Sequence, residues 1–190
     1  MALTLQRIKP APLAEIAAAC ELEEAGRAVL DPADTAGSFL EKLLAAGALQ
    51  DAVRFLAAAL PPRECVGWAC LCLRKMAPPE PETHGKTLLD AAERWVRAPG
   101  DESRRAAFDT ANSLGPDSAP GLLAMAAFFS GGSIATAGTE EAVPPPEGVY
   151  ARLASGAVFL AAIPGDAATV PDRLRACLTL GIDIAKGHPG

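Results

Sequence analysis

The sequence predicts an all-α protein: a single domain over residues 1–190, folded as an antiparallel bundle of about eight helices, with a helical-repeat arrangement as the alternative. Three observations lead there. Half of the 190 residues are apolar, mainly Ala and Leu, whereas aromatics make up 5%; that balance favours helix over sheet. Apolar residues recur at steps of three and four along most of the chain, the spacing that lines one face of a helix. No stretch alternates with period two between hairpin turns, as a half-buried strand would. The length suffices to bury a substantial core.

Taken in order, residues 12–22 read as a short helix with Leu13, Ile16, Ala17 and Cys20 inward, and 21–30 continues it or adds a turn. Asp31-Pro32 opens a loop. Thr35 or Ser38 caps the next helix, and Ser38 with Glu41 has capping-box spacing. Phe39, Leu40, Leu43 and Leu44 form its apolar stripe, and Gly47 is its natural stop. Residues 48–76, ALQDAVRFLAAALPPRECVGWACLCLRKM, are the centre of the chain. Leu49, Val53, Leu56 and Leu60 share one face of a first helix, with Gln50, Asp51 and Arg54 on the other. Pro61 ends that helix, and a proline suits the first turn of a new one. The second helix carries Glu64 in its first turn and Arg74 and Lys75 in its last, the order the macrodipole favours. Its middle is apolar almost all round, which implies burial on most sides. With so little loop between them, the helices around 38–76 are expected to form an antiparallel up-down-up unit.

Beyond this centre, Pro-rich linkers fall near 77–83 and 138–146. The first, APPEPE, is expected to be rigid and solvent-facing; the second lies in a long loop over 131–148, expected to be mobile. Between them come three helices. Residues 87–97 place Leu88, Leu89, Ala92, Trp95 and Val96 inward; 101–114, capped by Asp101, do the same with Ala107, Phe108 and Ala111. Ser118-Ala119-Pro120 opens a third, so apolar through Phe129 that it belongs in the core. A helix over 146–163 sets Tyr150, Leu153, Ala157 and Leu160 on one stripe. Thr169, with Asp172 three residues on, caps the last helix, where Leu174, Cys177, Leu178 and Ile184 face inward. Segments 52–58 and 157–162 resemble each other, each followed by proline and a cysteine-bearing helix, but no fixed repeat period emerges.

Charge and composition exclude several classes of function. A net charge of −6 with no basic stripe argues against nucleic acid and against docking on an anionic membrane. The longest apolar runs, 122–129 and 157–163, are too short for membrane insertion as spanning helices. Arg7, Lys9 and two prolines interrupt the early apolar patch, which is unlike a signal peptide, so a cytoplasmic location is expected.

No catalytic constellation, cofactor motif or metal site can be assembled. The five cysteines, Cys20, Cys65, Cys70, Cys72 and Cys177, are odd in number, and three lie on one helix. Cys65 and Cys72 share a face there while Cys70 points away, so buried, metal-free thiols are expected. His84 and His188 read as solvated surface residues. Ser130-Gly131-Gly132-Ser133 lacks the lysine and the strand that a phosphate loop needs. Asp101-Glu102 and Glu140-Glu141 read as capping or solvated carboxylates. Trp68 is expected in the core, between the 49–60 helix and the helix containing Phe128, although tryptophan is also a favoured interface anchor.

The run from Phe39 to Cys72 carries a further signal: a leucine-rich helix, then Asp51, Ala52, Arg54, Phe55 and Leu56, then Leu60, Pro61, Arg63 and Glu64, then Trp68, Ala69 and Cys70. It resembles the signature of an uncharacterised bacterial domain-of-unknown-function family whose genes lie near those of the type VI secretion system. Members usually show two adjacent tryptophans where this chain has Gly67-Trp68. Residues 181–186 are similar more loosely. The resemblance implies an accessory or adaptor role and supplies no activity or catalytic residues. Two functions follow as expectations. The first is a non-enzymatic adaptor or chaperone-like protein with a protein partner, using Arg63, Glu64 and Trp68 near the rigid start of the central helix. The second is a small helical enzyme or ligand-binding domain with an apolar pocket near Trp68 and Trp95.

Overall fold

A computed structural model of the chain describes residues 3–76, 83–136 and 138–187. Among these residues the fold is all helical, a bundle of ten α-helices and one 3₁₀ turn with no strand. One continuous apolar core runs through it.

The first expected helix is two short ones, α1 (Leu13–Ala18) and α2 (Glu24–Ala28). Between them Glu21 takes φ +50°, a left-handed conformation that a helix cannot continue through. In α3 (Ala36–Ala45) the capping box closes on Thr35 and Ser38, whose side chains accept from each other's backbone N–H at 3.1 and 2.9 Å. Glu41, expected in that box, instead accepts from the Leu3 amide at 2.9 Å. The arm around Leu3 thereby docks on α3.

The centre departs from the expected up-down-up unit. α3 packs on α4 (Leu49–Ala59), but α5 (Pro62–Met76) does not run back along α4. Leu60 is extended, with ψ 141°, as a residue before proline is pushed to be. The chain therefore turns outward at Pro61-Pro62. It sends α5 into the middle of the bundle, against α9 (Val149–Ala162), α10 (Val170–Ala185), α6 (Thr83–Arg97) and α8 (Ala119–Phe128).

The first Pro-rich linker, 77–82, lies outside the described residues, and α6 starts at Thr83, ahead of the expected 87. In α7 (Asp101–Leu114) the cap position belongs to Gly100, and Asp101 is the first helical residue. Ser118 caps α8 as expected, accepting from the Gly121 amide at 3.1 Å. The loop expected to be mobile is tied at both ends: Arg105 donates to the Ser133 and Ala135 carbonyls, and Ile134 N–H donates to Val143 O at 2.8 Å. In α9 the buried face runs through Tyr150, Ala154, Ala157 and Val158, while Leu160 is 40% exposed. Leu160 thus leaves the stripe assigned to it. Thr169 does not cap α10 with its side chain. Asp166 caps a 3₁₀ turn, Ala167–Thr169, that leads into the helix, and the Thr169 hydroxyl donates back to Asp166 O.

Candidate interaction groove

Trp68 is fully buried at the centre of α5. Its indole Nε1–H donates to the Cys177 carbonyl of α10 at 2.8 Å. A Cβ at Gly181, one turn further along α10, would lie 2.5 Å from Leu56 Cδ2 and 2.8 Å from Trp68 Nε1. A glycine there is what lets α10 close over the indole. Trp68 therefore sits against α4; its helix α5 packs also on α8, the helix of Phe128, and Trp68 sits against α10 as well, a neighbour the sequence did not point to. The reason is legible only in three dimensions: the indole N–H needs a buried acceptor, and the α10 carbonyl at Cys177 provides it.

The outward position assigned to Asp51 is also corrected. It is 2% exposed. Its carboxylate accepts from the Glu23 and Gly26 amides at 2.9 and 3.0 Å and from Arg54 Nη1 at 3.3 Å. It caps the short helix α2, and a Cβ at Gly26 would fall 2.4 Å from its Oδ2. Arg54 also pairs with Glu23 at 2.8 Å and lies over the Phe159 ring. The Asp-Ala-x-Arg-Phe run is thus a docking device between α4, α2 and α9.

Arg63 is exposed, and its Nε donates to the Val96 carbonyl at the end of α6, at 2.8 Å. Glu64 makes no ion pair among the described residues, and Arg74 binds Asp90 at 2.6 Å and Glu93 at 2.8 Å. Those carboxylates hold the Arg74 guanidinium firmly charged, Glu93 chief among them. Arg97 joins the same ladder through Glu93 at 3.5 Å. Arg63, Glu64, Gly67, Leu71, Val96 and Arg97 line an open groove of about 600 Å³ whose floor includes Trp68. Of the three residues singled out in the sequence, Arg63 and Glu64 reach solvent and Trp68 supports them from below.

A larger trough, about 910 Å³, opens towards the N-terminal end of α6, between α5, α8 and α9, floored by Leu88, Leu89, Leu114 and Ala161. This is where an apolar concavity lies. Of the two tryptophans near which a pocket was expected, Trp68 lines the first groove, and Trp95, which is buried, lines neither of these two concavities. His84 is exposed at the trough, and His188 falls outside the described residues.

All five cysteines are buried and unbridged. Burial pushes the Cys20 and Cys70 thiols up to about 12, and Cys65 further in the same direction. The Ser130–Ser133 turn wraps a guanidinium, not a phosphate. Arg104, 4% exposed, donates to the Phe128 carbonyl at 2.9 Å and the Ser133 carbonyl at 2.7 Å, and pairs with Asp101. That pairing, with Arg105 on the other oxygen, holds the Asp101 carboxyl below its usual range. Sequence reasoning missed Arg104, although the i,i+3 spacing from Asp101 was a usable signal.

Fold and side chains together define a helical bundle in which the conspicuous polar residues dock helices and the exposed concavities are open grooves. The chain belongs to the family described as "Family of unknown function (DUF6931)", whose profile matches residues 39–185. The match begins at Phe39 and ends at Ala185, the last residue of α10. No curated protein and no solved structure matches the chain.

Proposed function

We propose that the protein is a non-enzymatic helical adaptor or chaperone-like accessory, acting in the type VI secretion setting that its resemblance implies. Its protein partner docks in the groove between α5 and α6. One observation carries this reading. Leu71, 38% exposed, sits in that groove with Val96 and Gly67 beside it and Arg63, Glu64 and Arg97 around it. An apolar centre within a charged, arginine-bearing rim is the composition of a protein interface. The surface is also preorganised: the Arg63–Val96 bond and the Trp68–Cys177 bond hold α5 against α6 and α10, so little freedom is lost on docking.

Two variants test it in the native host. Leu71→Asp places a charge in the centre of the groove, and Arg63→Glu reverses its rim. Both side chains are at the surface, so melting temperature is expected to change by only a few degrees. A protein that co-purifies with wild type and is lost with both variants supports the reading. Equal capture by wild type and variants overturns it. A second reading, a ligand-binding domain, draws on the trough of about 910 Å³, which falls within the usual size of small-molecule sites.

A further inference from the structure

Three sulfurs meet where α5 packs on α10. Cys72 and Met76 are one turn apart on α5, at i and i+4, so their side chains fall on one face of the helix. Cys177 reaches the same place from α10. Its thiol donates to Met76 Sδ at 3.9 Å, and the Cys72 thiol is its neighbour: burial first, and then the adjoining Cys177 thiol, push Cys72 up. Both cysteines are fully buried and unbridged. Met76 is half-buried and lines the large trough, while the two cysteines do not. One member of the cluster is therefore reachable from solvent, which provides an entry path.

The spacing has a chemical meaning. A cation about 2.3 Å from each of three coplanar sulfurs holds them roughly 4.0 Å apart. The Met76–Cys177 separation already matches that figure. Two thiols and a thioether are soft donors, and such sets select Cu(I) over hard divalent ions. Structural zinc takes four ligands and draws on thiolate, imidazole or carboxylate. No group of three or more His, Cys, Asp and Glu side chains able to hold a metal gathers among the described residues. We infer that Cys72, Met76 and Cys177 form a three-sulfur binding site for a soft monovalent cation of the Cu(I) type. Binding releases the thiol protons to solvent and leaves the copper in its cuprous state, so no electron is transferred. The other thiols are placed differently. Cys20 donates to the Ile16 carbonyl at 2.8 Å, and Cys70 lines the groove on another side of α5.

The test is an anaerobic titration of the reduced full-length protein with Cu(I) against a competing cuprous chelator. One equivalent is expected to stay with the protein, and X-ray absorption is expected to report sulfur neighbours alone. Met76→Leu keeps the side chain's bulk and removes the thioether; it is expected to weaken binding at least tenfold. Cys177→Ala is expected to abolish it, with folding checked by circular dichroism, and Cys20→Ala to leave it unchanged. If Cys177→Ala does not fold, Met76→Leu alone decides. The inference is overturned if the chelator strips the wild type, if Met76→Leu binds as tightly as wild type, or if Cys20→Ala reduces the bound copper.

Discussion

Replacing Gly181 with alanine tests the central packing of this fold more directly than removing any large side chain. The added methyl would sit 2.5 Å from Leu56 Cδ2, 2.8 Å from Trp68 Nε1 and 3.0 Å from Trp68 Cδ1. Leu56 and Trp68 are fully buried, so neither can swing into solvent. Overpacking of this kind costs about 1–3 kcal/mol. Pushing the indole also strains its bond to the Cys177 carbonyl, and a buried pair left unsatisfied costs about 1–3 kcal/mol more. Alanine's better helix propensity returns about 1 kcal/mol. The net expectation is a loss of about 1–5 kcal/mol, which for a chain of this size lowers the melting temperature by roughly 2–20 °C. Gly156→Ala in α9 is the control, because there a Cβ would make only an ordinary contact, 3.5 Å from Leu122 Cδ1. That variant keeps the propensity gain and is expected to melt at or slightly above wild type. Thermal melting by circular dichroism, with urea titration alongside, measures both. If Gly181→Ala is as stable as wild type, α10 does not close over Trp68 as described.

Other outcomes follow from the same geometry. Asp51→Ala strands two amides and deprives Arg54 of its inner partner, and is expected to cost about 2–4 kcal/mol in urea unfolding; a change below about 0.5 kcal/mol would contradict the buried cap. Arg104→Met frees the carbonyls of Phe128 and Ser133, and limited proteolysis is expected to cut within 131–148 several-fold faster than in wild type; an unchanged cutting rate would mean that Arg104 does not hold the loop. Stability is expected to fall in alkali: burial raises the Cys20 thiol from 9.0 to about 12, so above pH 9 the unfolded chain ionises first, and the loss grows until about pH 12. Flat stability across that window would argue against a buried Cys20. In acid the sign is opposite. Lys42 holds Asp34, and Arg104 and Arg105 hold Asp101, below the usual carboxylate range; the stability they confer is present above the unfolded values and is lost as pH falls past them, measurable as a drop in melting temperature that salt reduces.

The sequence by itself determined the helices and where most of them end. Gly47, Pro61 and Ser118 act through φ/ψ limits and local capping, which need no partner from elsewhere in the chain. Burial of Trp68, Phe39 and the cysteines was equally legible, because apolar periodicity reports which face leaves water. What tertiary structure alone decided is which elements meet. Glu21 in a left-handed conformation split the first helix, and α5, leaving the locally extended Leu60, found its partners in α9, α10, α6 and α8 and not back along α4. Asp51 reads as a surface carboxylate on a helical wheel and is buried because two amides nearly thirty residues earlier in the chain need an acceptor. The same holds for the grooves and for the three sulfurs of Cys72, Met76 and Cys177. Cys72 and Cys177 are more than a hundred residues apart in sequence, and helical periodicity carries no information about such a meeting, because it fixes the face a side chain occupies and not the helix that face will touch.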